Sequence, residues 1–214
     1  QEGAVKLERD ITTINLEFNI GVLPVDIYAE NGKPVQAVMT LSQPNFGLTV
    51  DQAEIADCFS EFSREDFISE CPPQVTGTGT NFLIIGLKSA DKLQKLDMKR
   101  EKLCKVVDKC NVDAAYIFTT SEHSGKTVMT GRLADPRGTF EDPFTGSAIG
   151  AAGAYMIHHG LSEANEIQAE QGQFIGRPGF GKLMIRHSNG NIESIKLGGT
   201  AVKVTDGLMF MRKN

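Results

Sequence analysis

Glu141-Asp142-Pro143-Phe144-Thr145-Gly146-Ser147-Ala148-Ile149-Gly150-Ala151-Ala152-Gly153-Ala154-Tyr155-Met156 joins a carboxylate, a Thr-Gly-Ser turn and a run of small apolar residues without a break. Residues 148–157 are apolar or small on every face, which predicts a helix buried all round. The first N–H groups of a helix have no partner within it, and the aligned peptide dipoles leave that end partly positive. The stretch therefore sets an acidic side chain beside backbone donors that suit a carboxylate ligand or a developing enolate. An ordinary Ser or Asp cap on a core helix accounts for the same spacing equally well.

Within this stretch Asp142 is the leading catalytic candidate, as base or acceptor, with a capping aspartate as the alternative. Ser147 is the second, able to donate to a substrate oxygen or simply to serve a nearby backbone group. Thr145 and Gly146 contribute through their backbone, since glycine lets a ligand approach closely. Pro143 has no N–H to offer.

The strands around the helix decide the fold class. Downstream, alternation predicts strands at residues 166–170, 181–187, 192–197 and 201–205, with Asn189-Gly190 as a hairpin turn. Gly198-Gly199-Thr200 is a corner or a close-approach wall, which makes Gly199 and Thr200 substrate-binding candidates. Arg177, in the run Gln171–Gly179, is a possible anion clamp, although a structural arginine in a Gly-rich turn explains it better.

Upstream, strands are expected at residues 127–133, 114–119 and 81–87, and a helix from Ser89 or Asp91 to Lys109. Thr49 is the expected cap of another helix, and residues 43–47 read as a connector because Pro44 and Gly47 interrupt the pattern. Residues 11–18, 22–28 and 35–41 alternate as an antiparallel meander turning at Asn31-Gly32. Many strands around one apolar helix predict an α+β or barrel-like architecture, without the βα rhythm of a doubly wound sheet.

Composition excludes several classes. The 214 residues carry a net charge of −5, with scattered basic residues, no Trp and three Tyr, which argues against nucleic-acid binding. No apolar run nears the ~20 residues that span a bilayer, and no signal sequence is read at the start. Cys58, Cys71, Cys104 and Cys110 form no CxxC pair and lack histidines at ligand spacing, so no metal site is expected. Reduced, mostly buried thiols of a cytoplasmic protein fit better. His158 and His159 sit in the last turn of the helix, where a cation suits the dipole. No Ser/His/Asp triad assembles.

Glu141-Asp142-Pro143-Phe144-Thr145-Gly146-Ser147-Ala148 resembles the EDPxTGSA signature of the PhzF-like family, named for phenazine biosynthesis. Gln171-Gly172, Gly176-Arg177-Pro178-Gly179 and Gly198-Gly199-Thr200-Ala201-Val202 follow in that family's order. The match is specific across residues 131–208 and looser back to Ile11. The resemblance implies the diaminopimelate epimerase fold, in which two similar domains, each a curved sheet around a central helix, hold the active site between them. It further implies a cofactor-free isomerase that moves a proton on a small carboxylic acid, with Asp142 and Ser147 lining the pocket, and a homodimer.

The family's principal proton shuttle is a Glu of the first domain, accompanied by a CGHAT motif, and neither occurs in this sequence. On that basis residues 1–47 are expected to be the remnant of the first domain, residues 48–200 the second domain, and residues 201–214 a strand returning to the first. The opening part is then expected on a separate N-terminal fragment or to have been lost. Related racemases use two cysteines, one at this helix start. The matching position here is Asp142, which disfavours an amino-acid epimerase. A non-catalytic small-acid-binding protein of the same fold is the first alternative, and an amino-acid epimerase or racemase, wanting its cysteines, is the second.

Overall fold

The computed structural model describes residues 5–7, 9–123, 126–208 and 210. Alternating residues build a meander of β1 (Ile11–Phe18), β2 (Gly21–Glu30) and β3 (Lys33–Thr40), all antiparallel. Asn31 and Gly32 turn its second corner with φ of 50° and 73°, the left-handed pair that a tight hairpin requires. β4 (Asn45–Thr49), β5 (Gln74–Gly77), β6 (Asn81–Gly86), β7 (Ala115–His123), β8 (Lys126–Ala134), β9 (Glu166–Gln171), β10 (Gly179–Ser188) and β11 (Asn191–Gly199) complete the sheet. The order is β1-β2-β3-β11-β10-β9-β8-β7-β6-β5-β4, an 11-stranded sheet. Among the described residues only the β6–β7 and β8–β9 pairs are parallel.

The sheet is packed on both faces over its middle. On one face α4 (Gly146–His158) lies against β5, β6, β7, β10 and β11, so the strands wrap around it. Every residue of α4 from Ala148 to Ile157 is buried. Small residues permit this close seating: a Cβ at Gly150 would meet Leu41 Cδ1 at 2.3 Å. On the other face lie α1 (Gln52–Ala56), α2 (Ala90–Gln94) and α3 (Arg100–Lys109), with Ile55, Leu93, Leu103, Val106 and Val107 in a second core. The β6 run Phe82-Leu83-Ile84-Ile85 is continuously apolar because it feeds both: Phe82 and Ile84 face α4, while Leu83 and Ile85 face the outer helices.

Several sequence expectations need correction. Residues 43–47 are not a connector throughout, because Asn45–Thr49 forms β4 by pairing with β5. Residues 47 and 48 both belong to β4. The next helix is capped by Asp51, whose side chain accepts from the Ala53 N–H at 2.7 Å, and not by Thr49. The single helix ending at Lys109 is two helices. Between them the Met98 backbone bridges to Phe59 and the Lys99 N–H donates to the Cys58 carbonyl, which removes this segment from any helix. Residues 201–205 form no strand, because β3 already occupies the free edge of β11. Val202, Val204, Leu208 and Phe210 are accordingly exposed, and residues 209 and 211–214 lie outside the described residues.

Cys58, Cys71 and Cys110 are buried, as expected, and Cys104 is half-buried. Burial pushes the Cys58 thiol up to about 11, which suppresses the thiolate. Among the described residues no helix is long and apolar enough to cross a membrane.

At the C-terminal end of α4, desolvation overrides the favourable helix dipole. His159 is half-buried, its Nε2 lies 2.9 Å from Gln74 Oε1, and its ring contacts His158. Burial first, and His158 second, lower its pKa below the ordinary 6.5. The folded protein therefore holds fewer protons than the unfolded chain when pH drops below about 6.5. The contribution of neutral His159 is complete above that value and is lost as pH falls through the folded pKa. Urea midpoints measured from pH 7.5 to 5.5 are expected to decline, and to decline less in His159→Gln. Equal slopes in the two proteins would contradict this.

Candidate active site

The site is built where two parallel strands end together. β8 and β9 run side by side with Gly131 opposite Gln171, and the loop from Asp135 to Thr145 crosses the end of the sheet between its two faces. Arg132 and Gln171 pin this loop from opposite sides.

Arg132 reaches the outer core. Its Nε and Nη2 donate to Glu141 Oε1 at 3.0 Å and Oε2 at 2.6 Å, while Nη1 donates to the Leu93 carbonyl at 2.6 Å. The guanidinium also lies over the Phe174 ring, 5.8 Å from its centroid. Fixing Glu141 fixes the residue before Asp142.

Gln171 follows Ile167 and Ala169 on the α4 side and is fully buried. Its Nε2 donates to the Asp142 carbonyl at 2.7 Å and to Thr145 Oγ1 at 3.1 Å. Its Oε1 accepts from the Thr145 N–H at 3.0 Å.

The expected residues divide into groups. Asp142 is half-buried, and its Oδ2 accepts from the Thr145 hydroxyl at 2.8 Å, whereas Oδ1 takes no donor among the described residues. Thr145 is buried and is the N-cap residue of α4, yet its side chain makes no capping bond. The N–H groups of Gly146, Ser147 and Ala148 consequently have no acceptor among the described residues. Ser147 is exposed at the helix start.

Gly146, Gly199 and Thr200 line one cavity of about 760 Å³, together with Phe144, Leu197, Ile27, Ala37 and Val202. Asp142, Thr145 and Ser147 stand at its helix end without lining it. Arg177 is exposed in its turn. No group of three or more His, Cys, Asp or Glu among the described residues is placed to hold a metal ion.

The cavity opens along the meander. Leu197 pairs with Met39, which pairs with Val25 and so with Ile14, and alternation puts Leu16, Leu23 and Ile27 on that same face. Leu16 and Phe18 are exposed. Three of the four cysteines sit away from Asp142: Cys58 and Cys110 belong to the outer core, and Cys71 packs near Tyr155 toward the other end of α4.

Sequence reading missed Arg132 and Gln171. The signal for Gln171 was present, because Ile167, Ala169 and Gln171 occupy successive inward positions of one strand. An amide at an inward position needs partners and thus marks something to hold.

The phenazine biosynthesis-like family model, PhzC-PhzF, matches residues 3–207. The chain belongs to this family. Among relatives, the PhzF-like chain is 32% identical over 210 residues to an uncharacterized isomerase of Clostridium acetobutylicum, covering 94% of this chain and 68% of that protein. It is 30% identical to the uncharacterized isomerase YfhB of Bacillus subtilis, covering 89% of this chain and 65% of that one. The chain thus spans about two thirds of the length of these relatives.

Among solved structures, a PhzF family phenazine biosynthesis protein of Bacillus anthracis superposes with a TM-score of 0.73 at 25% identity, covering 90% of this chain and 67% of that one. A hydroxyproline epimerase of Agrobacterium vitis superposes with a TM-score of 0.57 at 12% identity, covering 92% and 58%. The latter is a likeness of fold alone. The PhzF-like chain has the α+β fold of the diaminopimelate epimerase type.

Proposed function

We propose that this chain carries the larger share of a cofactor-independent PhzF-like isomerase that transfers a proton on a small carboxylic acid. One observation carries the reading: three unpaired N–H groups at the start of a buried helix stand beside a carboxylate with one oxygen uncommitted. A substrate carboxylate docks on the Gly146 and Ser147 N–H groups, which also stabilise negative charge that develops on deprotonation. Asp142, steadied through Oδ2, accepts a hydrogen bond from the substrate at Oδ1. Thr200 and Gly199 form the facing wall of the cavity. The residue that moves the proton lies outside this chain, in the part by which the relatives exceed it.

The partly exposed apolar face of β1–β3, where Leu16 and Phe18 are exposed and Ile14, Leu23 and Ile27 are half-buried, supports that division. Ile14, Leu16, Leu23 and Ile27 form an apolar surface continuous with the cavity, the surface expected of strands that belong to a first domain. A complementary N-terminal segment seated there closes the cleft.

The test is proton–deuterium exchange into candidate small acids by the complete protein. Asp142→Asn keeps the shape and removes the charge, and exchange is expected to slow by about tenfold or more. Unchanged exchange would remove Asp142 from the chemistry.

A further inference from the structure

A threonine at a helix N-cap ordinarily turns its side-chain oxygen onto the N–H of the second or third helical residue. Thr145 does not. Its hydroxyl donates to Asp142 Oδ2 at 2.8 Å and accepts from Gln171 Nε2 at 3.1 Å, so it is engaged both as donor and as acceptor. Gln171 also holds the Thr145 N–H at 3.0 Å and the Asp142 carbonyl at 2.7 Å, which fixes the turn on which both side chains stand. A fully buried glutamine making three bonds to one four-residue turn is rigid, because its amide has no water with which to exchange them.

We propose that Gln171 is a positioning residue that denies α4 its own cap. By engaging the Thr145 hydroxyl, it keeps the Ser147 and Ala148 N–H groups open to a ligand carboxylate and turns the same hydroxyl toward Asp142. The inference deepens the reading above and rests on it for the identity of the ligand. The absence of a cap and the orientation of Asp142 are then one arrangement with one cause.

Amide hydrogen exchange on the 214-residue chain tests this directly, followed by NMR at Ser147 and Ala148. Gln171→Met preserves length and removes every side-chain bond of the amide, freeing the Thr145 hydroxyl oxygen as an acceptor while it still donates to Asp142. Exchange at Ser147 or Ala148 is expected to slow about fivefold, the equivalent of one cap bond. Adding Thr145→Val in that background removes the new cap and restores fast exchange, a reversal that a merely structural glutamine would not produce.

Should Gln171→Met not fold, Gln171→Glu keeps the acceptor for the Thr145 N–H, loses the donor to its hydroxyl, and is expected to slow the same amides. Folded variants with unchanged exchange, or slowing that Thr145→Val leaves in place, would overturn the proposal. A separate acetate titration judges the carboxylate reading. The Gly146 and Ser147 resonances are expected to shift saturably in the parent and several-fold less readily in Gln171→Met. Parent amides indifferent to acetate would overturn the docking site, while the exchange comparison still decides the role of Gln171.

Discussion

Arg132→Met is expected to lower stability by about 3–5 kcal/mol, the range for breaking a buried ion pair by removing one partner. The side chains of Arg132 and Glu141 are only 11% and 16% exposed, so water replaces the lost bonds poorly. Methionine fills most of the volume but leaves the Glu141 carboxylate and the Leu93 carbonyl without their donors. For a chain of this size the loss corresponds to a fall in Tm of roughly 6–20 °C.

The double variant Arg132→Met/Glu141→Gln removes the stranded charge and is expected to recover a substantial part of the loss. Thermal unfolding of the three proteins checks both statements. A single-variant loss below about 1 kcal/mol would mean that the pair is solvated and behaves as a surface bridge.

Gly172→Ala is expected to cost roughly 3 kcal/mol, from two separable causes. Gly172 has φ of +89°, a conformation that an L side chain resists. A Cβ there would also stand 2.2 Å from the Arg177 carbonyl oxygen and 2.6 Å from that of Pro143, both of them backbone atoms. The chain must therefore open beside Asp142.

Gly176 is the control, with φ of +70° and nothing within 4 Å of its Cβ. Gly176→Ala should show the conformational cost alone, about 1 kcal/mol. Denaturant unfolding of the two variants separates the causes. Equal losses would show that the close approach to Pro143 contributes nothing.

Much of the site was legible because it is local. Asp142, Thr145, Gly146 and Ser147 lie within six consecutive residues, and a buried helix start fixes their relation whatever the rest of the fold does. The two scaffolding residues were not legible as scaffolding. Arg132 is nine residues from Glu141, and Gln171 is 26 from Thr145; only the parallel pairing of β8 with β9 brings them to one loop.

The errors have the same origin. Asn45–Thr49 lacks an inward alternation and becomes a strand because β5 offers an edge, whereas residues 201–205 alternate well and find the edge of β11 taken. A long charged stretch ending at Lys109 satisfies helical spacing, yet the bridge of Met98 to Phe59 breaks it.

Periodicity, turn chemistry and the small-residue helix by themselves determined the meander, the α+β class and the carboxylate beside a helix start, because each depends on neighbours a few residues apart. Tertiary structure alone decided which strand edges were free, which amide held the turn, and that Thr145 would leave its helix uncapped. Those outcomes turn on competition between distant groups for a limited set of edges, donors and acceptors, and a linear pattern does not record who wins.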